Sequence, residues 1–374
     1  MQLRCGLGLF VLSMTMSSPL GAQAQNWQLG PFRRAVDAPV IRPDRAAVFT
    51  DPISGLAVHW EALHTFNPAA TIAPDGSVAV LYRAEDDSGT MQIGGHTSRL
   101  GLALSKDGIH FVREPTPVFM MDNDAQKVNE YPGGVEDPRI VQSADGLYVM
   151  TYTQYARDRG VYTIGLATSR DLHHWAKYGP LFQNDARFGK VVYKSAAIVT
   201  KLDRGRLVAT KIHGKYWMYW GEITVRVATS DDLLHWTVVN DAKTSEPLVV
   251  LRARPGRFDS GFPETGAPPV LTKDGIVFLY NGKNASPEQG DSDTSLGAGA
   301  YSVGEALFAE SDPVKLLQRS EKPVFQPEMP FEKTGQYAAG TTFAEGLVAF
   351  RGQWFLYYGT ADTFVGVATA PIAH

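Results

Sequence analysis

From about Val40 onward, the apolar residues of this chain fall in short runs bounded by turn residues, with almost no helical periodicity. One arrangement recurs. An aromatic-rich run, read as a strand, is followed by a second strand of the form Gly/Val-x-Ala-x-Ser-x-Asp. The first set is Val80-Leu81-Tyr82-Arg83-Ala84-Glu85, then Leu102-Ala103-Leu104-Ser105-Lys106-Asp107. The second runs from Tyr148 to Tyr155 and resumes at Leu166-Ala167-Thr168-Ser169-Arg170-Asp171; the third pairs Tyr216 to Glu222 with Val227-Ala228-Thr229-Ser230-Asp231-Asp232. A more divergent fourth joins Val277 to Gly282 with Ala306 to Pro313, and the fifth joins Trp354 to Gly359 with Val365 to Ala370.

The alanines of these sets, Ala103, Ala167, Ala228, Ala309 and Ala368, stand 64, 61, 81 and 59 residues apart. Repeats of that length, each built of four short antiparallel strands, predict an all-β protein, a five-bladed β-propeller. The aromatic that closes the Ser-x-Asp segment (Phe111, Trp175, Trp236) is expected to pack between blades. Two stretches break the regularity. Residues 86–98 carry Gly89, Gly94 and Gly95, and residues 283–299 are rich in Gly, Ser and Asp; loops of this length in a compact domain often cover a site.

The start of the chain has a different pattern. Arg4 precedes an apolar stretch over residues 7–16, and Ala22-Gln23-Ala24 offers a small-x-small cleavage site. The apolar stretch is too short to span a bilayer and no second one follows. The expected organisation is therefore a signal peptide over residues 1–24 and a single propeller catalytic domain over 25–374. The protein is expected in the periplasm or outside the cell, with no membrane insertion. The lone cysteine, Cys5, leaves with the leader, so the rest has no disulfide or thiolate metal site. The net charge is −4 with no basic run, which gives no footprint for nucleic acid.

In a propeller the innermost strands line a central funnel, and their ends bring polar groups from every blade. The entrances read Asn67-Pro68-Ala69, Glu136-Asp137-Pro138-Arg139, Lys194-Ser195-Ala196, Glu264-Thr265-Gly266 and Thr341-Thr342-Phe343-Ala344-Glu345. The second strands end with Arg83, Glu85, Glu222 and Asp362. Convergent carboxylates without a His/Cys cluster suggest glycoside chemistry, in which one acid protonates the leaving oxygen and another activates water. No Asp-x-Asp-x-Asp loop supports calcium, and neither a metal nor a cofactor is expected.

Six of these segments, in order, resemble glycoside hydrolase family 130: Asn67-Pro68-Ala69, Leu81 to Glu85, Ser98 to Ala103, Gly133 to Arg139, Asp259-Ser260-Gly261 with Gly266 to Pro269, and Tyr357 to Asp362. The resemblance covers about Asn67 to Thr369. It implies a five-bladed propeller acting on β-mannosides, with Asp137 as general acid and Asn67, Arg83, Arg99, Lys194 and Asp362 as sugar contacts. The family holds inverting phosphorylases and inverting hydrolases. Where the phosphorylases tend to place basic residues, this chain has Glu222 and Glu264, which repel phosphate and can deprotonate water. They are similar to the branch that hydrolyses β-1,2-mannosides, so the expected substrate is a manno-oligosaccharide and the expected product mannose. Lys194, Lys211 and His213 leave positive charge nearby and keep a phosphorylase yielding mannose 1-phosphate as the alternative. A fructan- or arabinan-cleaving propeller would carry an aspartate base in the first blade, where Asn67-Pro68-Ala69 stands. A non-catalytic sugar-binding propeller would have no use for Asp137 together with Glu222 and Glu264.

Overall fold

The computed structural model describes residues 27–188 and 192–372, so the expected signal segment lies outside the described residues. The chain is all-β, and the only α-helix among the described residues is the single turn Lys127–Glu130. Antiparallel groups follow one another along the chain. The first comprises His64–Ile72, Val78–Glu85, Ser98–Ser105 and Val112–Arg113. The second comprises Gly134–Gln142, Tyr148–Ala156, Val161–Ser169 and Trp175–Pro180. In the third, Ala196–Ile198 pairs with Lys215–Trp220, followed by Val225–Ser230 and Trp236–Val238. In the fourth, Phe262–Thr265 and Val270–Thr272 both pair with Gly275–Lys283, followed by Tyr301–Ala309 and Asp312–Arg319. The last runs Phe343–Phe350, Gln353–Thr360 and Phe364–Pro371, and its outer strand is Arg33–Arg34 from the amino-terminal side.

Apolar side chains fill the space between each group and the next. Leu81 and Leu102 of the first meet Val135, Met150 and Tyr152 of the second. Val149 and Leu166 meet Met218 and Trp220, and Tyr219 and Val227 meet Phe278, Tyr280 and Phe308. Leu279 and Val303 then pack on Leu347 and Tyr358, while Tyr357 and Val367 of the last group close against Val80 and Tyr82 of the first. Each such fully buried side chain stabilises by about 1.5–3 kcal/mol, so these layers hold neighbouring groups together. The Ser-x-Asp turns take one form three times. Asp107, Asp171 and Asp232 accept the backbone N–H groups two and three residues on, at 2.8–2.9 Å. The aromatics after them pack as expected where they meet a neighbouring group: Phe111 lies 5.8 Å from the Tyr357 ring and Trp175 lies 5.8 Å from Phe119.

Arg34 fixes the closing strand. Its guanidinium donates to Glu332 Oε1 and Oε2, each at 2.7 Å, and to the Gln326 carbonyl at 2.7 Å. Glu332 is fully buried, so it depends on this partner, on the Tyr358 hydroxyl and on the backbone of Glu328 and Met329. Removing one member of a buried ion pair leaves an uncompensated charge, which costs about 3–5 kcal/mol. Arg34→Ala is therefore expected to lower unfolding free energy by about 3 kcal/mol. Urea denaturation of the two proteins measures this, and a loss below about 0.5 kcal/mol, the level of a surface change, would show that the strand is held by other means.

Candidate active site

The strands His64–Ile72, Gly134–Gln142 and Phe343–Phe350 lie against one another, and the first two carry the same irregularity. Pairing slips between Phe66 and Pro68, and again between Glu136 and Arg139. The residue in each bulge is left-handed, Asn67 at φ 45° and Asp137 at φ 49°, and each precedes a proline. Asx residues tolerate this conformation best. The bulges turn both side chains toward one point, where Asn67 Nδ2 donates to Asp137 Oδ1 at 2.9 Å. At the start of the second of these strands, Gly134 lets the chain pair closely with Ser98 of the first group. Its φ is +99°, and a Cβ there would stand 2.0 Å from the Ser98 carbonyl oxygen.

A cavity of about 320 Å³ opens above this pair, near the lower end of the range for small-ligand sites. Asn67, Arg83, Asp137, Lys194, Glu222, Glu264 and Asp362 all line it, as the sequence led us to expect. Arg83 is the hub of one wall. Its guanidinium donates to Asp137 Oδ1 at 3.1 Å, Glu136 Oε1 at 2.9 Å and Glu85 Oε1 at 2.7 Å, and packs 4.6 Å from the centre of the Phe66 ring. Lys194 stands between the two sets of acids. Its Nζ is 3.9 Å from Asp137 Oδ2, 3.8 Å from Glu222 Oε2 and 3.5 Å from Glu264 Oε1. Asp137 and either glutamate are thus less than about 8 Å apart, compatible with the roughly 6.5–9.5 Å that inverting glycosidases leave for water. Glu222 accepts the Tyr162 hydroxyl at 2.8 Å, and Glu264 accepts the Ser195 hydroxyl at 2.6 Å.

These contacts set the proton affinities. Burial alone would raise Asp137, but Arg83, Lys194, Arg139 and the Asn67 amide outweigh it and hold the carboxyl down at about 2. Burial pushes Glu136 up to about 7, helped by Asp137 and Glu85 and opposed by Arg83. Asp362 is raised to about 7 by burial against the pull of Arg83. Burial likewise raises Glu264, against Lys194. Burial would lower Lys194, yet Glu264, Glu222 and Asp137 take it well above the ordinary lysine range. At neutral pH these shifts favour Asp137 as a carboxylate and Lys194 as a cation, while Glu136 and Asp362 each lie close to half protonation.

Three expectations need correction. Arg99 does not line the cavity. Its guanidinium is buried, donates to Asp86 Oδ2 at 2.6 Å and Asp51 Oδ2 at 2.8 Å, and lies over the Phe49 ring, because the alternation of Ser98–Ser105 turns it away from Arg83's side. Lys211 and His213 are not cavity residues either. They belong to a hairpin where Lys211 lies over the Tyr216 ring, so of the three cations only Lys194 lines the cavity. Of the two irregular stretches, residues 86–98 contribute Ile93 and Gly94 to the lining, whereas 283–299 contribute nothing to it. Sequence reasoning missed the aromatic wall: Phe66, Tyr155, Tyr162, Tyr301, Tyr337 and Phe343, with Gln336 beside them. Phe66 precedes the Asn67 entrance and Phe343 lies within the Thr341 to Glu345 entrance, so both were within reach of a strand-alternation argument; the tyrosines come from strand ends and loops with no shared spacing.

Residues 40–374 match the family described as beta-1,4-mannooligosaccharide phosphorylase, glycoside hydrolase family 130. The chain belongs to glycoside hydrolase family 130. It is 32% identical to a 1,2-beta-oligomannan phosphorylase of Thermoanaerobacter sp. (strain X514), over 90% of this chain and 96% of that one. Among solved structures, a glycosyl hydrolase from Bacteroides ovatus is 47% identical with a TM-score of 0.88, covering 93% of this chain and 95% of its own. Another at 47% identity and TM-score 0.88 covers 92% and 95%, and is described by family 130 mannoside phosphorylases including glycoside hydrolases that target beta-1,2 mannosidic linkages in Candida mannan.

The raised Asp362 carboxyl gives a stability prediction. Its folded pKa of about 7 exceeds the ordinary 3.8, so the native state holds the proton more tightly. Its contribution to stability is full below pH 4 and is lost as pH rises toward 7, by up to about 1.4 kcal/mol per unit. Asp362→Asn should remove that slope. Denaturation series from pH 4.5 to 7 read it directly, and parallel wild-type and variant curves would refute the assignment.

Proposed function

We propose that this chain is a single-domain, five-bladed β-propeller that cleaves β-mannosides by inverting hydrolysis, with β-1,2-linked manno-oligosaccharides as substrate class. The successive antiparallel groups are read as the blades. The observation that carries the hydrolytic reading is the pairing of Glu222 and Glu264 beside Lys194, facing Asp137. Water attacks the anomeric carbon and gives a proton to one of the glutamates, while the glycosidic oxygen leaves with a proton supplied by Asp137, directly or through a sugar hydroxyl. A sugar seated in the cavity excludes water from Asp137, and this loss of solvation raises the carboxyl from the low value that Arg83 and Lys194 set, so that it can carry that proton. The leader-like start of the sequence supports action outside the cytoplasm, where a sugar phosphate would be lost.

Charge supports the choice of nucleophile. Two like charges 4 Å apart repel by about 4 kcal/mol at an effective dielectric of 20, and Lys194 offsets only one such term. A phosphate dianion beside Glu222 and Glu264 meets that repulsion; water does not. Phosphorolysis is the second reading. It is favoured by name, since the curated relatives at 32% and 27% identity are phosphorylases, and Arg83 and Lys194 are cations of the type that hold phosphate.

Product analysis on β-1,2-mannobiose, with and without phosphate, separates the two. Free mannose at a rate unchanged by phosphate is expected; mannose 1-phosphate as the main product would establish the second reading. Asp137→Asn is expected to lower kcat by about 10²–10⁴ with the fold intact, as for loss of a general acid. Near-normal turnover in Asp137→Asn, or in both Glu222→Gln and Glu264→Gln, would sink these roles.

A further inference from the structure

Behind the Arg83 wall, two histidines and a glutamate meet. One nitrogen from each of His64 and His96 and one carboxylate oxygen of Glu85 lie within 4.8 Å of one another. Glu85 and His96 are buried and His64 is half-buried, and the imidazole ring centres are 5.8 Å apart. The three come from different places: the start of His64–Ile72, the end of Val78–Glu85 and the end of the glycine-rich loop.

The surroundings fix the rings as ligands are fixed. His96 Nδ1 lies 3.0 Å from the Ser88 carbonyl oxygen, which can only accept, so Nδ1 carries the proton and Nε2 the lone pair. The Thr363 hydroxyl donates to the Ala361 carbonyl at 3.1 Å and so accepts from His64 Nδ1 at 3.3 Å, which again leaves Nε2 as the lone-pair nitrogen. Metal-binding histidines are held by such second hydrogen bonds to carbonyls and hydroxyls. Glu85 gives Oε1 to Arg83, and Oε2 accepts Gln336 Nε2 at 3.2 Å with a second lone pair to spare. Arg83, the cation paired with Glu85, is balanced by Glu136 and Asp137 as well.

We propose that His64, Glu85 and His96 bind a divalent transition-metal ion of the zinc class, which clamps the glycine-rich loop to the first antiparallel group. Two imidazoles and a carboxylate are a donor set for zinc rather than calcium or magnesium, and three protein ligands leave a fourth position for water. Zinc at about 2.0–2.2 Å from each ligand spaces ligand atoms roughly 3.4 Å apart. The ligand atoms therefore draw together by up to about 1.4 Å on binding, a movement the loop end carrying His96 can supply. Otherwise the loop is tied by contacts near its ends, from Arg157 to the Gly95 and His96 carbonyls and from Ser88 to Asp86. Its Ile93 and Gly94 line the cavity, so a clamp at His96 sets the shape of that wall without entering the reaction.

The test needs no substrate and is independent of whether water or phosphate is the nucleophile. The full protein is stripped with chelator, incubated with zinc chloride, desalted and analysed by elemental mass spectrometry and thermal unfolding. We expect about one zinc per chain and a Tm rise of at least about 3 °C, both lost in His96→Gln and His64→Gln. Cobalt(II) loading of the unaltered protein should give the intense visible bands of a four-coordinate site, a readout that survives if a variant fails to fold. No retained zinc, no cobalt bands, or equal retention in both variants (adventitious surface binding) would each overturn the proposal.

Discussion

The site depends on a backbone device used twice: a left-handed Asx residue followed by proline, set in a bulge of an inner strand. Holding a non-glycine residue there costs on the order of 1–3 kcal/mol, so the surrounding packing must over-determine it. Asn67 and Asp137 meet that condition together. Their side chains bond each other, and Gly359 gives Asn67 room, since a Cβ there would stand 2.1 Å from the Asn67 carboxamide oxygen. In a regular strand Asp137 and Arg139 would share a face and a direction. The bulge separates them, sending the aspartate up into the cavity and the arginine across the axis.

Arg139 then makes the floor. It donates to the Thr265 carbonyl at 2.7 Å, the Gly266 carbonyl at 3.2 Å and its neighbour Asp137's carbonyl at 2.9 Å. Glu345 Oε1 is 2.8 Å away, close enough for charge but not aligned for a hydrogen bond, and burial drives this carboxyl well above its ordinary range. One guanidinium therefore ties the second antiparallel group to the fourth and the last beneath the substrate cavity. The same residue lowers Asp137, so the floor that holds the inner strands together also sets the charge of the proposed acid.

Much of this was legible in the sequence because repetition exposes it. The Ala-centred strands fall in Ser98–Ser105, Val161–Ser169, Val225–Ser230, Tyr301–Ala309 and Phe364–Pro371, and the turn residues between them follow a local chemistry that a sequence states outright. Entrances and strand ends brought Asn67, Arg83, Asp137, Lys194, Glu222, Glu264 and Asp362 to one cavity, since every group presents the same edge there. Arg99 was expected at the sugar from the family resemblance, whereas strand alternation puts Ser98 on Arg83's side and turns Arg99 to the other, onto Asp86 and Asp51. The tyrosine wall and the His64–Glu85–His96 cluster were hidden for another reason. Their members are brought together by ring closure and by a loop returning on itself, and neither leaves a spacing to read. Glu136 was quoted as part of a motif, but its proton-holding character comes from burial beside Asp137, which spacing does not reveal.

The balance of charge in the cavity argues for a neutral occupant. Arg83 and Lys194 face Glu136, Asp137, Glu222, Glu264 and Asp362 across the lining, an excess of acids that is relieved where Glu136 and Asp362 retain protons. An anion adds to the excess and a cation competes with Lys194 for the carboxylates it already bridges. A sugar hydroxyl does neither, because it donates to an ionised carboxylate and accepts from a guanidinium, ammonium or protonated acid with the same group. The aromatic residues on the same lining offer apolar surface to the C–H side of a pyranose. A ring that exchanges water for these partners leaves no charge of its own to be matched. On the proposed reading, the positive charge that develops at the anomeric carbon meets these same carboxylates, which stabilise it.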